Sequence, residues 1–391
     1  MSDGHHDDHS GGAVRVAGNR LDLLETGPEQ RAALLSLIEG ARRTLRLLYY
    51  IYAEDESGRA VRDALVVALK RGVEVRLIVD GFGSDADDSF FAPLREAGGT
   101  VCRFHPTIGR RYLLRNHQKL ACADETIALV GGFNVEDDYF RTVEDGGWRD
   151  LGLSIAGPAV LPAVHYFDAL FDWTAQKRSK GRDLRRRLQN WNSGDETIRW
   201  LLGGPARRLS PWLRTIRNDL QVARHFWMIA AYFAPGPYML RRLERAGRRG
   251  DVRVITASKS DNGATIGAAR FLYRGLLKKQ VRVFEYQPTK LHSKLFVIDD
   301  LVYIGSANFD IRSLHLNLEI MVRIRDRDFA DRMRRYFDEE TAQSREIALD
   351  EVSGWGSVFQ RLRWGAAYFL VAIVDYNVTR RLNFGLDGSE L

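Results

Sequence analysis

Residues 291–308 read LHSKLFVIDDLVYIGSAN, and residues 116–134 read NHQKLACADETIALVGGFN. Each stretch holds a His-x-Lys, runs through apolar residues to an Asp, and stops on small residues followed by an Asn. The shared form is H-x-K-x-x-x-x-D: His117, Lys119 and Asp124 in one stretch, His292, Lys294 and Asp299 in the other. Gly131-Gly132-Phe133-Asn134 then corresponds to Gly305-Ser306-Ala307-Asn308, with the second hairpin one residue shorter. A single copy would be weak, since a solvated His/Lys pair explains it equally well. Two copies in register imply a chain built from two related halves that meet at one site.

The flanking sequence carries the same duplication. Residues 45–79 read as strand, turn, amphipathic helix and strand, with Ala60, Val61, Ala64, Leu65 and Ala68 at helical spacing. Residues 226–256 repeat that order, YIYAED matching AYFAPG and RGVEVRLIV matching RGDVRVIT. Alternating strands and helices predict an α/β fold of mixed, mainly parallel sheets flanked by helices. The expected organisation is a disordered tail at 1–18, a first half at 19–176, a basic linker at 177–195, a second half at 196–348 and a C-terminal tail at 349–391.

Composition narrows the partners. With 391 residues, 45% hydrophobic and 28% charged, the chain is globular rather than disordered or fibrous. Its formal net charge of +7 favours an anionic partner, nucleic acid or an anionic membrane surface. Cys102 and Cys122 imply free core thiols, not a disulfide framework. His5, His6 and His9 sit among acidic residues in a segment that reads as a tail, without the pattern of a secretory signal. No apolar run reaches the roughly 20 residues that cross a bilayer. The nearest is Trp364 to Val374, flanked by arginines. It reads either as a membrane-interface element or as an element packed on the core.

In an extended strand, residues i and i+2 share a face, so His117 projects with Lys119 and His292 with Lys294. An imidazole beside an ammonium is poor for binding a metal and good for binding a phosphate. Lysine places charge on non-bridging oxygens, while neutral histidine attacks phosphorus or exchanges a proton. Two histidines permit a division of labour. One forms a covalent phosphohistidine; the other protonates the leaving alcohol and deprotonates the incoming one. Asn134, Asn308 and Ser306 supply hydrogen bonds to phosphate oxygens, and Gly131, Gly132 and Gly305 let backbone come close. Asp150 in GWRDLGL and Glu319 in LNLEIMV occupy matching places and are candidates to orient the imidazoles. Asp124 and Asp299 belong to the catalytic motif, yet seven residues from their histidines they face the other way. Strand and turn geometry is their expected task.

These motifs resemble the phospholipase D superfamily, whose signature is a duplicated H-x-K-x4-D followed by G-[SG]-x-N. The resemblance covers roughly residues 20–348. It implies a pseudo-dimer with one metal-independent, cofactor-free site at the interface of the halves, needing no further subunit. Carried over, it makes His117 the nucleophile and His292 the acid/base, with Lys119, Lys294, Asn134 and Asn308 binding phosphate. RNHQKL, VGGFNVEDDYF, LHSKLFVIDD, GSANFDIRSLHLNLE and FDEETAQSREI are most similar to bacterial cardiolipin synthases. That likeness implies transfer of a phosphatidyl group between two phosphatidylglycerol molecules, at the cytoplasmic side of a bacterial membrane by peripheral attachment. The sequence departs from the commonest form in lacking N-terminal membrane helices and in having Gln118 where Arg is frequent. A nuclease or other phosphodiesterase of the same chemistry is the alternative.

Overall fold

The computed structural model describes residues 13–104, 114–176, 184, 188, 191–205, 209–260, 263–353 and 357–369. The histidines of the N-terminal tail, most of the basic linker and the end of the C-terminal apolar run therefore lie outside the described residues.

In the first half the strands are β1 (Val14–Val16), β2 (Asn19–Leu24), β3 (Thr44–Tyr49), β4 (Glu74–Asp80), β5 (Thr100–Phe104), β6 (Leu120–Ala123), β7 (Ile127–Gly131) and β8 (Gly152–Ala156). They pair in the order β1-β2-β8-β7-β6-β3-β4-β5. The second half contributes β9 (Ile198–Gly203), β10 (His225–Ala230), β11 (Phe233–Ala234), β12 (Asp251–Ala257), β13 (Val281–Tyr286), β14 (Lys294–Ile298), β15 (Leu301–Gly305), β16 (Phe309–Asp310), β17 (Glu319–Arg325) and β18 (Ser344–Glu346). Its sheet runs β18-β13-β12-β10-β14-β15-β17-β9, with β11 and β16 as a separate small pair. Without the edge strands β1 and β18 the two orders are the same. The halves are thus pseudo-symmetric in topology as well as in sequence.

The sheets are mixed, but parallel pairing is the minority, which corrects the expectation of mainly parallel sheets. Within the two eight-stranded sheets only β3-β4-β5 and β10-β12-β13 run parallel. The helices are α1 (Gly27–Gly40), α2 (Glu56–Lys70), α3 (Ala92–Glu96), α4 (Asp137–Phe140), α5 (Leu161–Ala175), α6 (Pro211–Val222), α7 (Pro237–Gly247), α8 (Gly263–Leu277), α9 (Ile311–His315), α10 (Arg327–Ala342) and α11 (Ser357–Tyr368). Adjacent parallel strands are joined through α2, α3, α7 and α8. From each His-x-Lys onward the strands return antiparallel, the first time through a tight hairpin.

Side-chain alternation along the motif strands builds two cores at once. Leu120, Cys122, Leu295 and Val297 face a core shared by both sheets, together with Phe167 and Leu170 of α5 and Met333 and Phe337 of α10. Ala121 and Ala123 face α1 to α3, while Phe296 and Ile298 face α6 to α8. The halves are consequently fused through their inner sheet faces, which fixes the motif strands relative to each other. Cys102 and Cys122 are free thiols.

One boundary differs from expectation. Val14–Val16, assigned to the tail, pairs antiparallel with β2, because the turn at Ala17 and Gly18 (φ 47° and 77°) folds it back. The described part of the C-terminal tail packs on the second half. Tyr368 stacks on Phe271 with centroids 5.5 Å apart, and its hydroxyl donates to the Pro235 carbonyl at 3.0 Å. Gly267 lets Trp364 and Ala367 approach α8.

Candidate active site

Each motif strand enters the structure alongside the other half. The His117 N–H donates to the Leu318 carbonyl at 2.9 Å, and the Leu318 N–H to the Arg115 carbonyl at 2.9 Å. In the matching place, the Arg149 N–H donates to the Lys290 carbonyl (2.9 Å) and the His292 N–H to the Arg149 carbonyl (2.7 Å). Glu319 follows Leu318, and Asp150 follows Arg149. This register decides the pairing: each histidine receives its carboxylate from the opposite half. His117 Nδ1 lies 3.2 Å from Glu319 Oε2, and His292 Nδ1 lies 2.6 Å from Asp150 Oδ2. The sequence placed one carboxylate after each motif; the structure exchanges them.

The lysines close in behind the rings. Lys119 Nζ donates to the His117 carbonyl at 2.8 Å, and Lys294 Nζ donates to the His292 carbonyl. Lys294 Nζ also sits 2.6 Å from His292 Nδ1. With Nδ1–H directed to Asp150, the ammonium acts there as a neighbouring charge and not as a donor. Both lysines are fully buried. Burial, and then the Lys294 ammonium, drives Lys119 well below the ordinary lysine range. A phosphodiester anion held between the two ammonium groups would supply the charge that stabilises both. Burial pushes Asp150 up to about 6, opposed first by Lys294 and also by Lys119 and His117. Groups from both motifs thus act on one carboxylate, so the halves converge on a single cluster.

The asparagines are held alike. Asn134 Oδ1 accepts from the Ile51 N–H at 3.0 Å, and Asn308 Oδ1 from the Tyr232 N–H at 3.2 Å. Each anchors the turn after its hairpin to the end of the strand that begins the parallel run. Ser306 and Gly132 occupy matching positions with different consequences. The Ser306 hydroxyl donates to Glu319, whose other oxygen accepts from Ser313 Oγ at 2.8 Å. At Gly132 a Cβ would stand 2.4 Å from Asp150 Oδ1, so the missing side chain makes room for that carboxylate. Asp150 accepts instead from the Leu151 N–H at 2.7 Å.

Asp124 and Asp299 lie apart from this cluster. Asp124 accepts backbone N–H bonds from Arg42, Arg43 and Thr44 at 2.7–2.9 Å, clamping the β6–β7 turn to the start of β3. Burial alone would raise its pKa, but the three donors prevail and hold it below the usual carboxylate value. Asp299 likewise accepts from the N–H groups of Arg224 and His225 at the start of β10. Both have left-handed backbone, φ 51° and 48°. They set hairpin geometry and touch neither imidazole, so these two motif residues stand outside the catalytic cluster.

Aromatic rings line the site, and sequence reading found only some of them. Tyr50 lies 5.0 Å from the His117 ring. Tyr139, Trp148 and Tyr232 lie 5.1, 5.4 and 6.3 Å from the His292 ring, with Tyr139 Oη 3.5 Å from Nε2. Tyr50 and Tyr232 lie at strand ends, in the matching YIYAED and AYFAPG segments. Tyr139 and Trp148 gave no signal beyond lying near Asn134 and Asp150. Asp80 was also missed: it is buried and accepts from the Asn116 N–H at 2.8 Å, fixing the approach to His117.

A family model described as cardiolipin synthase, PLD-like domain, matches residues 34–166 and 216–341. Cardiolipin synthase 1 of Bacillus cereus is 31% identical over 356 residues, spanning 86% of this chain and 69% of its own length. Major cardiolipin synthase ClsA of Bacillus subtilis is 32% identical over 354 residues, spanning 87% and 72%. Among solved structures, phosphatidylserine synthase from Haemophilus influenzae superposes with a TM-score of 0.69 at 14% identity, covering 92% of this chain and 96% of its own. Polyphosphate kinase from Porphyromonas gingivalis gives 0.55 at 16% identity, covering 82% of this chain and 50% of its own. These two structures share the fold.

Proposed function

The chain belongs to the cardiolipin synthase family of PLD-like enzymes, and from that premise we propose that it joins two phosphatidylglycerol molecules into cardiolipin and glycerol. The observation that carries this reading is the exchanged pairing of His117 with Glu319 and His292 with Asp150 around two buried lysines.

His117 is the nucleophile. Burial, and then the Lys119 ammonium, hold its pKa below the ordinary histidine value, so the imidazole stays neutral and its lone pair is free. Its Nε2 bonds to phosphorus as the bond to the glycerol oxygen breaks, and His292 delivers a proton to that oxygen. In the second step the hydroxyl of another phosphatidylglycerol gives its proton to His292, its oxygen bonds to phosphorus, and the P–N bond breaks. Lys119, Lys294, Asn134 and Asn308 hold the non-bridging oxygens. Tyr139, Trp148 and Tyr232 wall the His292 side with apolar surface, which disfavours water as the competing acceptor.

No described helix is long and apolar enough to cross a membrane. The substrate resides in a bilayer, and the net positive charge suits an anionic surface. Peripheral attachment to the cytoplasmic membrane follows from this reading. Purified protein supplied with labelled phosphatidylglycerol vesicles should sediment with them and release cardiolipin and glycerol. Phosphatidic acid as the sole lipid product would mark a hydrolase and remove the transferase reading.

A further inference from the structure

The residue ahead of each orienting carboxylate is held in a different way in the two halves. On the His117 side that residue is the apolar Leu318, and Gln118 holds the backbone of Glu319 itself. Gln118 Nε2 donates to the Glu319 carbonyl at 3.1 Å, and its Oε1 accepts from the Tyr166 hydroxyl at 2.8 Å. This is a neutral relay. On the His292 side the residue is Arg149. Its carbonyl accepts from the His292 N–H, from the Ser293 N–H at 3.1 Å and from Ser293 Oγ at 3.1 Å. Its guanidinium crosses to the second half, where Nε donates to Glu340 Oε1 of α10 at 2.9 Å and Nη2 bonds the same oxygen. Nη1 donates to the Glu25 carbonyl at 2.5 Å, and the Tyr336 ring lies 5.5 Å from the guanidinium carbon. Glu340 is fully buried, and Arg332 of the same helix pairs with Glu25 at 2.6 Å.

A buried ion pair spanning two subdomains is costly to desolvate and gives little net stability over an apolar pair of similar size. Its geometry is where it differs from such a pair. Arg149 is one residue from Asp150, and its backbone carries the hydrogen bonds that set His292. Anchoring the guanidinium to α10 therefore fixes the carboxylate and the imidazole together. We propose that Arg149 and Glu340 are a positioning pair for proton transfer by His292, acting through Asp150 and touching no reacting atom. The inference rests on the reading of His292 as the acid/base.

The test compares two donors on Glu340→Gln and on Arg149→Met/Glu340→Leu, the latter replacing the pair by apolar side chains so that the fold is retained. One donor is phosphatidylglycerol, whose alkoxide leaving group needs a proton. The other is the phosphatidyl ester of p-nitrophenol, which departs without one. Glycerol release should fall roughly 10- to 100-fold in both variants, while the initial nitrophenolate burst changes by less than about threefold. Tyr166→Phe, on the nucleophile side, should slow both donors alike. Equal loss from both donors in the pair variants, or no loss from either, overturns the proposal. Glycerol release reports on His292 whether the acceptor is lipid or water. A wild type that makes no cardiolipin would thus defeat the transferase reading while leaving this comparison decisive.

Discussion

His117 keeps 12% of its side chain accessible and leans on one ring, Tyr50, with its partner Glu319 held by two serine hydroxyls. His292 keeps 4%, is boxed by three aromatic rings, and has a shorter bond to a smaller carboxylate for which Gly132 clears space. The topology is duplicated, yet the two imidazoles sit in unlike surroundings. A nucleophile must meet phosphorus directly, so a slightly open ring with a neutral lone pair suits it. A proton carrier must hold a fixed orientation away from water, so a closed, tightly bonded ring suits that. On the proposed mechanism, this divergence within a repeated fold separates two roles that a symmetric site could not distinguish.

The most severe break in this comparison is removal of each imidazole in turn. His117→Ala and His292→Ala should each lower cardiolipin formation by roughly 10⁴-fold or more, since residues acting as a unit fail together. Their chemistry should differ: His292→Ala accumulates acid-labile phosphatidyl label on His117, whereas His117→Ala accumulates none. Label on His117→Ala instead reverses the roles.

A smaller effect separates the two small-residue turns. Gly132→Ala forces a Cβ against Asp150, and displacement of the proton-orienting group should cost about 10²-fold in kcat. Ser306→Ala removes one donor to Glu319 and keeps Ser313, so about tenfold is expected. Steady-state rates on both variants check the order; equal losses would mean that the turns are interchangeable.

The pH profile sharpens the contrast further. Because the His117 pKa is depressed, protonation disables it only at a pH lower than the ordinary 6.5. The acid limb of kcat/KM should therefore fall below that value. A limb at or above it would mean that burial does not control the nucleophile.

Smallest in activity are the motif aspartates. Asp124→Asn loses charge-assisted acceptance of three backbone donors and Asp299→Asn of two, so stability losses of about 2 and about 1 kcal/mol are expected, with kcat within roughly threefold. Since Asp124 is depressed in the folded state, its contribution is present above the ordinary carboxylate value and disappears as pH falls through the folded value. Chemical denaturation at neutral pH and at about pH 4 would show the difference from wild type shrinking.

Much of this was legible because it is written locally. The doubled H-x-K-x4-D and G-x-x-N, the i, i+2 geometry of a strand and the helical spacing of Ala60, Val61, Ala64, Leu65 and Ala68 require only neighbours along the chain. So does the opposite facing of Asp124 and Asp299, which strand periodicity alone dictates. Parallel pairing was overestimated for the complementary reason: periodicity finds strands without stating which way the next one returns.

What only the tertiary structure decided is set by contacts between the halves. The exchange of Glu319 and Asp150 follows from the backbone register of Leu318 beside His117 and of Arg149 beside Leu291, more than a hundred residues apart in the chain. The aromatic box around His292 draws Tyr139 and Trp148 from one half and Tyr232 from the other, and no spacing rule connects them. Sequence determines which groups are present and which face of a strand they take. Burial and register between two packed sheets determine which of those groups meet, and so give the two imidazoles their unlike surroundings.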